Sequence, residues 1–152
     1  MYTTIADVVW PALFLTGRLM AFWVIGIGLL VELFFVRWLT GFTWGKALLA
    51  DILMNAASSL LGLLLIPLAG LAWESSVGIV MYRAFNIGTF NPITWAATFL
   101  AAVCINSALE TAVLRYGFKQ RPFSRFFCWL SLANAISVGI ALVSVLLHPP
   151  RP

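Results

Sequence analysis

Apolar residues run continuously through four long stretches of this chain, and short polar segments separate them. The stretches are Ala12–Val36, Ala47–Trp73, Pro92–Leu114 and Phe126–Leu147. A helix needs about 20 apolar residues to cross the hydrocarbon core of a bilayer, and each stretch reaches that length. The strands of a β-barrel would instead alternate polar and apolar residues in segments of about ten. The pattern therefore predicts four transmembrane helices.

A polar signature occurs twice within this apolar background. In each copy an Arg follows a Glu by five positions, and a second basic residue precedes Asn-Ala-x-Ser by nine positions. The first copy consists of Glu32, Arg37, Lys46 and residues 55–58, and the second of Glu110, Arg115, Arg125 and residues 134–137. Because carboxyl and amide groups cost free energy in hydrocarbon, their repetition favours one helical hairpin used twice.

The two copies predict an all-α integral membrane protein, a single membrane domain built from two tandem parallel helical hairpins. Repeat one covers about 12–73 and repeat two about 92–147, with a tail at 148–152. Repeats of two helices enter the membrane in the same direction, related by an axis along the membrane normal. The connection, 74–91, is either a short interfacial helix or an outward extension of the second span.

Two proline positions refine these boundaries. Asn91 followed by Pro92 is typical of a helix start, with Asn as the cap and Pro in the first turn. Pro67 lies late in the second span, so we expect it to bend that helix or to mark its end.

Composition agrees with a membrane location and excludes an ordinary soluble domain. The chain is 62% hydrophobic and only 9% charged, whereas soluble domains are about 25% charged. Its net charge of +4 comes from loops next to the predicted spans. We therefore expect these loops to attract anionic lipid headgroups, and we do not expect the chain to bind nucleic acid.

The basic residues also predict an orientation. Six of the nine lie in or beside the two short loops within the hairpins: Arg37, Lys46, Arg115, Lys119, Arg121 and Arg125. Loops rich in Lys and Arg remain in the cytoplasm. We therefore expect both termini to be extracytoplasmic, in a bacterial inner membrane.

The remaining polar residues of the spans form the candidate site, an intramembrane polar layer. It consists of Glu32, Asp51, Asn55, Ser58, Asn106, Glu110, Asn134 and Ser137. Side chains lean toward the N-terminus of their helix, so the Glu and Asn of one hairpin converge. We expect a hydrogen bond between Glu and Asn in each hairpin, with both Glu side chains facing protein.

Two interpretations of this layer compete. In the structural one, polar side chains bridge helices and fix their register, while small residues allow close approach. In the functional one, Glu32 and Glu110 carry protons or bind ions. The depth of both Glu residues, close to the basic loops, favours the structural interpretation at this stage.

The chain lacks the residues on which most membrane enzymes depend. It has one His, His148, and two Cys, Cys104 and Cys128, which lie inside spans and are expected to be small packing residues. This composition predicts no metal site, no cofactor and no enzymatic activity.

Three functions remain open. The favoured one is an accessory or structural subunit that packs against a larger membrane complex or against copies of itself. The alternatives are a small proton- or ion-coupled transport protein that uses Glu32 and Glu110, and an immunity protein against a membrane-inserting toxin.

Overall fold

The computed structural model describes residues 10–89, 91–121 and 123–147, and every regular element in these ranges is a helix. The helices are α1 (Trp10–Leu19), α2 (Phe22–Thr40), α3 (Trp44–Trp73), α4 (Ile79–Phe85), α5 (Pro92–Ala112) and α6 (Phe123–Leu147). Turns of π-helix at Glu74–Gly78 and Val113–Gly117 join α3 to α4 and extend α5. The predicted tail, 148–152, and His148 lie outside the described residues.

Four helical segments are long and apolar enough to cross a membrane. They are Phe22–Thr40, Trp44–Phe85, Pro92–Gly117 and Phe123–Leu147. The prediction of an all-helical membrane protein with four spans is therefore confirmed.

The first predicted span, Ala12–Val36, is wrong in its extent, because the chain breaks into α1 and α2. Ala21 has an extended backbone with ψ 131° and is the N-cap residue that precedes α2. The break lets α1 pack against α3, α5 and α6, where Ala12 and Leu15 are buried. Averaged hydropathy did not reveal the break, because residues 19–25 are all apolar, although the charged Arg18 lies just before it.

The second span is longer than predicted. Helix continues from Trp44 through the π turn to Phe85, a run of 42 residues. At about 1.5 Å per residue this run is about 63 Å long, twice the roughly 30 Å hydrocarbon core. Pro67 lies inside α3 and does not end it. The first part of the connection at 74–91 is thus an extension of the second span, and it ends at Asn86 in the left-handed conformation.

The predicted start of the third span is confirmed in atomic detail. The side-chain oxygen of Asn91 accepts hydrogen bonds from the backbone N–H groups of Ile93 and Thr94, at 2.9 and 3.0 Å. Pro92 occupies the first turn, where its missing N–H group costs nothing.

The four long helices form a bundle in the cyclic order α2, α3, α5, α6. Each helix packs against its two neighbours in this order, so α2 and α5 are diagonally opposite. The loops within the two hairpins lie side by side, with the rings of Phe42 and Phe118 5.8 Å apart. We call this end of the bundle the basic end, because it carries the six basic residues named above.

Two apolar clusters fill the bundle and leave a polar layer between them. The cluster at the basic end includes Val36, Met54, Leu114 and Leu130. The cluster at the opposite end includes Leu15 of α1 together with Val24, Ile66 and Val138. The candidate site lies between these clusters.

Candidate functional site: an intramembrane polar layer

Glu32 of α2 and Asn55 of α3 form the hydrogen bond predicted for the first hairpin. The Asn55 amide nitrogen Nδ2 donates to Glu32 Oε2 at 2.6 Å. The same nitrogen lies 3.2 Å from the backbone oxygen of Asp51 and 3.3 Å from Asp51 Oδ1. One amide therefore connects two carboxyl groups of two helices.

Glu110 of α5 and Asn134 of α6 form the equivalent bond in the second hairpin. Asn134 Nδ2 donates to Glu110 Oε2 at 2.5 Å and to the backbone oxygen of Leu130 at 3.1 Å. Glu32 and Glu110 are only 2% and 1% exposed, so both face protein. Both expectations for the Glu side chains are confirmed.

The serines of the two signatures also take the same local arrangement. Ser58 Oγ donates to the backbone oxygen of Asn55 at 3.3 Å, and Ser137 Oγ donates to that of Asn134 at 3.2 Å. The two signatures thus make matching hydrogen bonds at matching positions. That the whole hairpins superpose stays a prediction.

Both Glu–Asn pairs face one cavity of about 50 Å³ in the centre of the bundle. This volume holds only a few water molecules or a small ion. Its polar lining comprises Glu32, Asn55, Ser58, Ser59, Asn106, Glu110, Asn134, Ser137 and Thr16. Of the predicted layer, only Asp51 is not part of this lining.

Contacts between the hairpins join the two pairs into one site. The side chain of Ser58 in the first hairpin interacts with the Glu110 carboxyl of the second. A Cβ atom on Gly28 of the first hairpin would lie 3.6 Å from Cβ of Ser137 in the second. Each serine therefore stands next to the other hairpin, and the two Glu–Asn pairs share a common environment.

Asp51 makes the two hairpins differ. It is fully buried, and its Oδ2 has no hydrogen-bond partner among the described residues. The second hairpin has Leu130 at the matching position, four residues before its Asn. Thr111 Oγ1, on the residue after Glu110, also lacks a partner among the described residues. Buried polar atoms without a protein partner indicate places where water or an exchangeable proton completes the bonding.

The cavity reaches the molecular surface between α2 and α3. Leu63 lines the cavity and is 55% exposed, while Ile25 and Ser59 are half-buried. Asn55 is also half-buried, whereas Asn134 is 2% exposed. The two Glu side chains are equally buried, but Asn55 therefore lies nearer the surface of the bundle than Asn134.

Part of the cavity wall was not predicted from the sequence. Thr16, Leu19 and Met20, at the end of α1, contribute to the lining because α1 folds back at the break. Gly62 makes room for Asn106, since a Cβ atom there would lie 3.2 Å from Asn106 Oδ1. Gly62 continues the stripe of Asn55 and Ser58 at helical spacing, and it is one of the small residues that the sequence indicated for close approach of helices.

The basic residues lie outside the polar layer. Arg37 Nη1 donates to the backbone oxygen of Phe42 at 3.0 Å, and its guanidinium carbon lies 4.1 Å from the centre of a Trp44 ring. Lys46 lies over Phe42 at 4.2 Å. Arg115 lies over Phe123 at 5.7 Å, while Lys119, Arg121 and Arg125 are exposed.

The cysteines and acidic residues bear on metal binding. Within the described ranges, no group of three or more His, Cys, Asp or Glu side chains is arranged to hold a metal ion.

Cys104 and Cys128 are free and lie exposed on the outer faces of α5 and α6. The expectation that they are buried packing residues was wrong. The apolar residues around them lie on the outer surface of the bundle, which a bilayer would contact, and not in the bundle interior.

Comparisons of the chain with protein-family models, curated proteins and solved structures found no match.

Proposed function

We propose that this chain is a small proton-coupled membrane transport protein in which Glu32 and Glu110 carry the proton. The observation that supports this proposal is the shared cavity: two carboxyl groups from diagonally opposite helices face it, and its lining contains no Lys, Arg or His. A charge within hydrocarbon is expensive unless it is neutralised. A proton is the smallest cation that neutralises a carboxyl group, and the cavity is large enough for the water that would deliver it.

The Asn side chains suit reversible protonation. Each Asn donates to one carboxyl oxygen, Oε2, through an N–H group that serves an ionised and a neutral carboxyl alike. The other carboxyl oxygen is then available to bind the proton. A Glu held in this way can load and release a proton without losing its contact to the neighbouring helix.

Asp51 adds a third carboxyl group to the proposed proton site. It lies one helical turn nearer the basic end than Asn55, whose amide donates both to it and to Glu32. Within our proposal Asp51 is a further proton-binding group beside Glu32. We further propose, from the positive-inside rule, that the basic end is cytoplasmic and the termini extracytoplasmic in a bacterial inner membrane.

The side chains of the polar layer face the interior of the bundle, so they are not available to contact a partner protein. An accessory subunit would have to bind its complex through other surfaces, such as the apolar faces of the bundle or the extension at α4. Neither the accessory-subunit interpretation nor the immunity-protein interpretation gives the cavity a role, and both stay predictions.

Proton flux in reconstituted liposomes tests the proposal. Vesicles containing a pH-sensitive dye and an imposed potential would report flux for the wild type, for Glu32→Gln with Glu110→Gln, and for Glu74→Gln. Glu74 is the matched control, because it is also a buried carboxyl but lies in the turn after α3 and not in the cavity lining.

We expect wild-type flux, its loss in the double variant at unchanged thermal stability, and its retention in Glu74→Gln. If the two Glu residues are only structural, Gln keeps the hydrogen-bonding shape and the double variant will behave like the wild type. Flux in the wild type no greater than in protein-free vesicles would also contradict the proposal.

A further inference from the structure

A groove of about 460 Å³ lies on the surface of the first hairpin at the basic end. It is lined by Phe34, Arg37 and Trp38 of α2 and by Gly41, Phe42 and Trp44. Its volume falls in the usual range of small-molecule sites, about 300–1,000 Å³. The groove is separate from the central cavity and shares no lining residue with it.

Arg37 is held in a fixed position within this groove. Its Nη1 donates to the Phe42 backbone oxygen at 3.0 Å, and its guanidinium lies on the Trp44 ring at 4.1 Å. A guanidinium has five N–H donors in a rigid plane, so this one hydrogen bond leaves most of them for a ligand. A planar fork of this kind binds phosphate oxygens in pairs.

The charge around the groove favours an anion. Among the described residues, no acidic side chain lies with the six basic ones: Glu32, Asp51 and Glu110 are buried in the interior, and Glu74 lies in the turn after α3. The Lys46 ammonium lies 4.2 Å from the centre of the Phe42 ring, which lines the groove, and adds a second positive charge near it.

The rest of the groove is apolar and aromatic. Phe34 lies one helical turn deeper than Trp38, and Phe34, Trp38 and Trp44 are all more than half exposed. Trp side chains are typical of the boundary between headgroups and hydrocarbon. A ligand that uses the whole groove therefore needs an anionic group at Arg37 and an apolar portion that reaches Phe34.

We propose that this groove binds one anionic phospholipid from the surrounding membrane, with its phosphate on Arg37 and the start of an acyl chain along Phe34. The proposal does not depend on proton transport, since it concerns a different surface and a different ligand.

Arg115 provides the matched control. It occupies the corresponding position in the second signature, but it is exposed and lies 5.6 and 5.7 Å from the rings of Tyr116 and Phe123. It is therefore held less firmly than Arg37, and we expect it to act as a general surface charge.

Native mass spectrometry of the full chain in detergent micelles tests the proposal. Phosphatidylglycerol and phosphatidylcholine with identical acyl chains are titrated against the wild type, Arg37→Gln, Arg115→Gln and Phe34→Ala, with free inorganic phosphate as a competitor. Phe34→Ala keeps the hydrogen bond of Arg37, so it tests the groove even where Arg37→Gln fails to fold.

We expect one phosphatidylglycerol to bind in preference to phosphatidylcholine and to resist displacement by phosphate. Arg37→Gln should weaken this binding by about tenfold, the size of effect expected for a charge-assisted hydrogen bond. Phe34→Ala should weaken it by severalfold, and Arg115→Gln by less than about twofold. The proposal would be overturned if both lipids were retained equally, or if Arg115→Gln weakened binding as much as Arg37→Gln. It would also be overturned if Phe34→Ala left binding unchanged, or if free phosphate displaced the lipid.

Discussion

Asn134 places its amide nitrogen 2.5 Å from a carboxyl oxygen of Glu110, and both side chains are almost completely buried. Asn55 and Glu32 make the matching bond at 2.6 Å, but Asn55 is half-buried and stands nearer the surface opening. The Asn residues of two chemically identical pairs therefore differ in burial. This difference determines how each pair should respond to substitution.

Replacing Asn134 with Leu should destabilise the protein more than replacing Asn55 with Leu. Asn134→Leu leaves the Glu110 carboxyl buried without its donor, a loss of about 1–3 kcal/mol in the free energy of unfolding. Asn55 is half-buried, so a Leu side chain at this position can extend onto the apolar outer surface of the bundle and recover part of the loss. Unfolding of both variants in the same detergent measures the difference, and equal losses would contradict the assignment of a deeply buried and a half-buried Asn.

Asp51→Leu gives the first hairpin the residue that the second has at Leu130. It removes a buried carboxyl oxygen that has no partner in the described part of the chain, so we expect the free energy of unfolding to stay unchanged or to rise by about 1 kcal/mol. Proton flux should fall, because a proton-binding carboxyl group beside Glu32 is lost. A variant that is less stable by more than about 1 kcal/mol would show that Asp51 is structural.

Gly62→Ala should narrow the cavity. The added Cβ would lie 3.2 Å from Asn106 Oδ1 and 3.5 Å from Ile66 Cδ1, so Asn106 would have to shift into the cavity that it lines. We expect reduced proton flux with a change in stability below about 1 kcal/mol. Gly26→Ala is the control, since a Cβ atom there has nothing within 4 Å. Equal flux in the two variants would argue against a pathway past Asn106.

Cysteine labelling in intact cells tests the proposed orientation. Cys104 and Cys128 are both exposed, so they are first replaced with Ala, and single Cys residues are then placed at Thr43, Gln120 and Ser76. An impermeant thiol reagent should label position 76 from outside and should reach 43 and 120 only after the membrane is opened. Labelling of 43 and 120 in sealed cells would reverse the orientation.

The sequence predicted the parts of the structure that depend on repeated spacing. Glu32 with Asn55 and Glu110 with Asn134 could be paired in advance, because helical rise and side-chain direction place them at one depth. The cap at Asn91 followed from local chemistry alone. These predictions needed no knowledge of how the four helices are arranged.

Features that depend on packing could not be predicted in the same way. The break at Ala21 is a single extended residue within apolar sequence, and only the packing of α1 on the bundle accounts for it. Hydropathy likewise gave no indication that the two Glu–Asn pairs face one cavity, since that depends on α2 and α5 being diagonally opposite. The exposure of Cys104 and Cys128 reflects lipid-facing helix surfaces, which are as apolar as the interior.

Infrared difference spectroscopy across a pH titration tests proton binding at the polar layer most directly. The carbonyl stretch of a neutral carboxyl group is separate from the bands of an ionised one, so loading and release of a proton are both visible. We expect reversible carboxyl bands in the wild type in lipid, with one component missing in Glu32→Gln and another in Glu110→Gln. Glu74→Gln should retain both components. The account would be contradicted if the carboxyl groups of Glu32 and Glu110 kept one protonation state over the whole pH range in which the protein stays folded.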